Sequence, residues 1–179
     1  MKQIRTLVFF FFFAAVIFVA CNTSETKVAG TDTTEAGNVT LPYVASYSSD
    51  FNTDVSDADV ALVLNSYKDW ENGDLNALRA TMGDSMTVNS ANGWKFSGRT
   101  DSLMKNWQTF RDSLSSVTIT MDAWTKNHSI KDSNNFVTVW YKEIDTYKTG
   151  RVDSANFSDI NHVKDGKISW FSQFKQQLK

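Results

Sequence analysis

The chain has 179 residues, enough for one globular domain and short for two. Its net charge of −2, from 20 acidic against 18 basic residues, offers none of the basic excess that nucleic-acid binders carry. One cysteine excludes a disulfide framework within the chain.

Lys2 and Arg5 precede an unbroken apolar run from Leu7 to Ala20, which holds five consecutive phenylalanines, and Ala20 precedes Cys21. A basic start, a short apolar core and a small residue at the cleavage point are the parts of a secretory signal. The alternative is an uncleaved transmembrane anchor, which needs roughly 20 apolar residues; this run has fourteen. The residues Phe18-Val19-Ala20-Cys21 resemble the lipobox of bacterial lipoproteins, with Phe18 in place of the usual leucine. The resemblance implies that Cys21 is acylated, becomes the mature N-terminus and holds the protein to a membrane. A lone exposed thiol would be reactive, and a thioether-linked lipid removes it. Cleavage there takes away Lys2 and Arg5 and no acidic residue, moving the net charge from −2 to −4. The domain then has no electrostatic attraction to an anionic bilayer, so the lipid does the holding.

Residues 1–20 are therefore expected to be the signal peptide and 21–54 a polar tether. The tether is rich in Ser, Thr, Asp, Glu and Gly, a composition that buries too little apolar surface to offset its ordering entropy. Tyr43, Val44, Tyr47 and Phe51 near its end are candidates to pack on the domain, 55–179.

In the domain, Ser56 caps a first helix carrying Val60, Val63, Leu64, Tyr67 and Trp70 at helical spacing, and Asn72-Gly73 stops it. Asp74 caps a second, shorter helix with Leu75, Leu78 and Met82, closed by Gly83. A strand follows at Met86 to Asn89, then a turn at Asn92-Gly93 and a short strand through Trp94 and Phe96. Thr100 caps a third helix bearing Leu103, Trp107, Phe110 and Leu114 on one face. From Val117 the period changes to two, and four strands follow: Val117 to Trp124, Phe136 to Tyr147, Val152 to Val163, and Ile168 to about Gln176. Asp165-Gly166 is the hairpin turn before the last. Helices first and a meander afterwards give an α+β fold. All six tryptophans lie in this domain, four of them (Trp94, Trp124, Trp140, Trp170) in predicted strands, where they either fill a core or line a cavity.

The element order, with the words NSYKDWENGDLNALRATMGDSMTV, FSGR and VKDGKISWF, resembles the nuclear-transport-factor-two-like superfamily, and within it the SnoaL-like branch. The resemblance covers roughly Ala58 to Phe174. It implies a cone-like curved antiparallel sheet packed against three N-terminal helices. Members of this superfamily include cyclases, isomerases, dehydratases and proteins without catalysis, so only the site can assign function. In the isomerase branch a general base stands where this chain has Asn89, and a neutral amide takes no proton from carbon. The branch's helix-one phenol falls on Ser66, with Tyr67 one step away. Its second acid, which stays protonated in that branch so that it can donate a hydrogen bond, maps to Asp159.

The resemblance places Asn89, Asp159, Asn161, Phe171 and Gln173 around one pocket, with Asp159 hydrogen-bonded to Asn89 or Asn161 or open to water. Asp122, Glu143 and Asp145 are carboxylates on strands, expected at edges or on the solvent face. His128, in a predicted turn, and His162, facing away from Asp159, make no metal site, and no cofactor motif is present. The expectation is a lipid-anchored, exported, non-catalytic domain that holds a small apolar ligand or supports a dimer through its sheet or another partner. The competing reading is an isomerase, cyclase or hydrolase using Asp159 or Asp122. The discriminating feature is a carboxylate at the bottom of an enclosed pocket with its pKa shifted upward.

Overall fold

Apolar residues at helical spacing and a capped start produce the first element. Helix α1 spans Asp57–Asn72, and Ser56 Oγ accepts from the Asp59 amide at 3.0 Å. Gly73, at φ 74°, ends it in the left-handed conformation that a side chain resists, and Arg111 donates to the Trp70 and Glu71 carbonyls at the same helix end. Helix α2 is short, Leu75–Ala80, capped by Asp74. A computed structural model describes residues 40–178. The signal segment 1–20, Cys21 and most of the tether lie outside the described residues.

The strands are β1 (Phe51–Asn52), β2 (Met82–Asn89), β3 (Lys95–Arg99), β4 (Leu114–Ser129), β5 (Asn135–Tyr147), β6 (Val152–Lys164) and β7 (Lys167–Gln177), with helix α3 (Thr100–Arg111) between β3 and β4. They form one seven-stranded sheet in the order β1-β4-β5-β6-β7-β2-β3. All neighbours are antiparallel except β2 and β7. Register shifts within β4, between Leu114 and Ser116 and between Met121 and Ala123, bend the long strands, as bulges do. One face of the curved sheet packs against the helices around Val63, Met86, Val88, Leu103, Val137, Val139 and Ile168.

Several expected boundaries move. Met82 and Gly83 start β2 rather than end α2, because α2 stops at Thr81, whose hydroxyl returns to the Leu78 carbonyl. Leu114 starts β4 rather than closing α3, and His128 is paired in β4 opposite Asn135 rather than in a turn. Thr100 is the first residue of α3, and its hydroxyl bonds the Gly83 carbonyl instead of capping the helix.

The end of the predicted tether is structured. Phe51 and Asn52 pair with Ser129 and His128, covering the otherwise free edge of β4. Tyr47 stacks edge-on against Phe136, donates its hydroxyl to Asp132 and accepts from Asn134, while Lys131 bonds its carbonyl. Tyr43 and Val44 stay exposed. Residues 47–52 thus pack against the sheet ahead of position 55. Among the described residues no helix is long and apolar enough to cross a membrane.

Candidate functional site

The strand period decides which side chains meet the helices. On β6 the buried Ala155 and Val163 share a face with Phe157, Asp159 and Asn161, while Ile160 and His162 face the other way. On β7 the same face carries Phe171 and Gln173, directly opposite Asn161 and Asp159. On β5 it carries Val137, Val139, Tyr141, Glu143, Asp145 and Tyr147. Tyr141 to Tyr147 of that β5 face, Phe157, Asp159 and Asn161 of β6, and Phe171 and Gln173 of β7, with Tyr67 and Trp70 of α1, Trp107 and Phe110 of α3 and the β2–β3 turn, line a cavity of about 520 Å³, while Val137, Val139 and Val163 pack in the core.

Asp159 is 2% exposed in this cavity. Its Oδ2 accepts from two phenols, Tyr67 at 2.8 Å and Tyr141 at 3.0 Å. Its Oδ1 has no hydrogen-bond partner. A ring of amides holds the phenols in turn: Asn161 donates to the Tyr67 hydroxyl and to the Val137 carbonyl, and Gln173 donates to the Tyr141 hydroxyl. The Tyr67 and Tyr141 rings meet edge-on with centroids 5.0 Å apart.

Burial pushes the Asp159 carboxyl up to about 7, against the hydrogen bonds from Tyr67 and Tyr141 and the polar Gln173 amide beside them, which favour the charged form. Burial, reinforced by the Asp159 charge, holds both phenols well above their ordinary range, so they stay neutral donors. Glu143 is pushed up to about 8 by burial and then by Asp145 and Asp159. Asp145 is raised by burial and by Asp153 opposite it. A carboxyl near 7 with one free oxygen can release or take a proton at neutral pH.

Asp159, Asn161, Phe171 and Gln173 thus come together around the cavity. Asn89 does not join them. Met86 and Val88 set the phase of β2 by pointing inward, and Asn89 lies opposite Ser172, on the face away from Phe171 and Gln173. The partners of Asp159 are accordingly the two tyrosines rather than Asn89 or Asn161. Asp122 is exposed beside the β4 register shift and is not among the lining residues.

Glu143 and Asp145 line the cavity, contrary to the solvent-face expectation. They share the parity of the apolar Val137 and Val139, and that was the sequence signal for their direction. Tyr67 and Tyr141 are the functional side chains that sequence reasoning missed. Tyr141 has the same parity signal. Tyr67 sits one position from Ser66, which also lines the cavity but turns its hydroxyl back to the Val63 carbonyl.

Trp94 lies in the β2–β3 turn and lines the cavity with Trp70 and Trp107, whereas Trp124 and Trp140 are exposed. Trp170 lines a separate concavity of about 590 Å³ on the outer face, with Tyr47, Phe51, Phe136 and His162. Both ring nitrogens of His162 are engaged there, by Ser169 and Asn134. Among the described residues no three His, Cys, Asp or Glu side chains converge as a metal site.

Sequence comparison finds no matching family profile and no matching curated protein. Solved structures share the fold. An epoxide hydrolase of M. tuberculosis, of the type called LEH-like, superposes with a TM-score of 0.58 at 11% identity, covering 68% of this chain and 84% of that one. A nuclear-transport-factor-two-like protein of unknown function from Burkholderia pseudomallei gives 0.56 at 15%, covering 68% and 92%. AusH from Aspergillus nidulans gives 0.56 at 14%, covering 70% and 88%. The fold of this chain is the nuclear-transport-factor-two-like fold.

Proposed function

We propose that the chain, a domain of nuclear-transport-factor-two-like fold, binds a small, mostly apolar organic molecule in its inner cavity and exchanges a proton with it through Asp159. The observation that carries this reading is the division of labour within one carboxyl group. Oδ2 is fixed by Tyr67 and Tyr141, and Oδ1 is left without a partner in an aromatic cavity. Two donors on one oxygen fix the plane of the carboxyl and leave Oδ1 as the atom that gains or loses the proton. The position near 7 allows either direction at neutral pH.

Asn89 is a neutral amide and Asp122 is exposed outside the cavity; of the carboxyls that line it, Asp159 is the one held in a fixed orientation by two phenols, and we assign it the acid–base role. A buried carboxyl with its pKa shifted upward in a pocket is the feature that favours catalysis over simple binding, and on it we take the acid–base reading in preference to the non-catalytic one. The epoxide hydrolase of the same fold supports small-molecule chemistry as a class and assigns no substrate here. We place the domain at a membrane surface, held by acylated Cys21. The support for this is the sequence from Lys2 to Cys21.

β-Tetralone is a suitable first probe: a bicyclic ketone that fits the cavity and has acidic C–H bonds. Its deuterium exchange in deuterium oxide, followed by NMR, is expected to be accelerated by the protein and to lose about 10²–10⁴-fold of that acceleration in Asp159→Asn. Acceleration that survives the substitution in a folded variant removes Asp159 from the chemistry.

A further inference from the structure

The inner face of β5 and β6 carries more acid than structural support requires. Asp145 stands directly opposite Asp153, a like-charge pairing that costs stability, and Glu143 occupies the next inner position of β5. Asp153 is matched by Arg151 at 3.2 Å. Glu143 and Asp145 make no ion pair among the described residues. Asp145 Oδ1 is buried with no donor from a basic or neutral side chain, the one group placed to share a proton with Asp145 being the second acid, Glu143, and Oδ1 of the nearly inaccessible Asp159 in the same cavity has no partner. Buried acceptors without donors are rare and mark a missing partner.

Around these oxygens the walls are aromatic. Tyr141 and Phe157 stack at 5.3 Å, and Phe110 meets Tyr147 edge-on at 6.4 Å. Aromatic faces beside carboxylates are the chemistry that holds an organic cation.

We propose that this cavity takes a molecule bearing an ammonium group, whose N–H donors bond Glu143 and Asp145 while its apolar body lies against the aromatic walls toward Asp159. The proposal rests on the cavity being the ligand site and adds the charge of the ligand. The protein's own cations stop short of that role: Lys175 lies 5.5 Å over the Phe157 ring and Arg151 3.8 Å over the Tyr147 ring, and although the Lys175 charge acts on both acids, neither cation forms an ion pair with Glu143 or Asp145.

The groups facing the two acids are Asp153 and Asp159 from β6, Lys175 from β7, Arg111 from α3, the neutral phenols of Tyr67, Tyr141 and Tyr147, and the apolar Ile119 and Val117 from β4. With Arg151, the partner of Asp153, included, four carboxyl groups (Glu143, Asp145, Asp153 and Asp159) meet three basic groups (Lys175, Arg111 and Arg151). Without a cation, Glu143 keeps its proton at neutral pH because burial and the neighbouring acids raise it to about 8. An arriving ammonium takes the place of that proton, which leaves to solvent, so binding tightens as pH rises.

Calorimetry with naphthylmethylamine and naphthylmethanol compares the same apolar body with and without the charge. The amine is expected to bind at least about tenfold more tightly at neutral pH, the ratio growing toward about pH 8.5, with proton release seen as buffer-dependent heat. Glu143→Gln and Asp145→Asn should each move the ratio toward one. Equal affinities for amine and alcohol overturn the inference and leave the cavity reading standing. Failure of both probes to bind overturns the two together. An amine preference that survives in both variants also overturns it. Should either variant fail to fold, the wild-type pH dependence decides, and an amine affinity that does not rise with pH overturns the proposal.

Discussion

Asp159 is expensive to keep charged. Between the ordinary carboxylate range and about 7, the folded chain holds a proton on Asp159 that the unfolded chain has released, so this group makes stability fall as pH rises through that window. Asparagine keeps the shape and can accept both phenols on its one oxygen, but never ionises. Asp159→Asn is therefore expected to be nearly neutral at about pH 4 and stabilising by at most about 4 kcal/mol at about pH 8. Denaturant melts across pH check this, and a variant less stable than wild type at the higher pH contradicts it. Glu143, raised to about 8, retains part of the slope, so the profile flattens without becoming level. Tyr67→Phe removes a donor that favours the ionised form, so the Asp159 pKa should rise further, readable by carboxyl-carbon NMR. The inward direction of Asp159, Asn161, Phe171 and Gln173 came from the resemblance, and the period of two along β6 and β7 agrees with it. Asn89 and the tyrosines were not placed correctly. Transferring a spacing from other chains errs by single residues, and one step reverses a strand's face or turns a helix by about 100°.

Helix α1 and the strap of residues 47–52 show how elements are fixed to the sheet. Glu71 of α1 accepts the Ile119 amide at 3.1 Å, and Arg111 of α3 bonds the carbonyls at the end of α1. Gly73→Ala would force a side chain at φ 74° and put its Cβ 3.1 Å from Arg111 Nη2. A loss of about 1–2 kcal/mol is expected in thermal or denaturant melts. The strap was read from composition as part of a tether, because short polar segments carry little periodicity. Its order comes from tertiary partners, the β4 edge and Phe136, which are distant in sequence. A chain beginning at Thr53 is expected to lose about 2 kcal/mol through the missing hydrogen bonds and ring contacts of Tyr47 and Phe51. Unchanged stability would show that the strap only rests on the domain.

Residues 43–178 form a bent sheet with helices on one face, and the bend makes room for a cavity that a flat sheet would fill with side chains. Helix order, meander and α+β class followed from periodicity and turn residues, whereas the curvature did not, since the β4 register shifts have no glycine or proline to mark them. At the other end of the chain, Cys21→Ala is expected to release the protein from membranes into the soluble fraction, and labelling with a fatty-acid analogue should vanish with it. Retention of an unlabelled protein on membranes would contradict the proposed anchor. Proton exchange in the cavity depends most directly on the protonation of Asp159. A carboxyl-carbon NMR titration of the folded chain, with Asp159→Asn used to assign the resonance, should give a midpoint near 7. A midpoint in the ordinary carboxylate range of about 4 would contradict a proton-exchanging role for the buried acid.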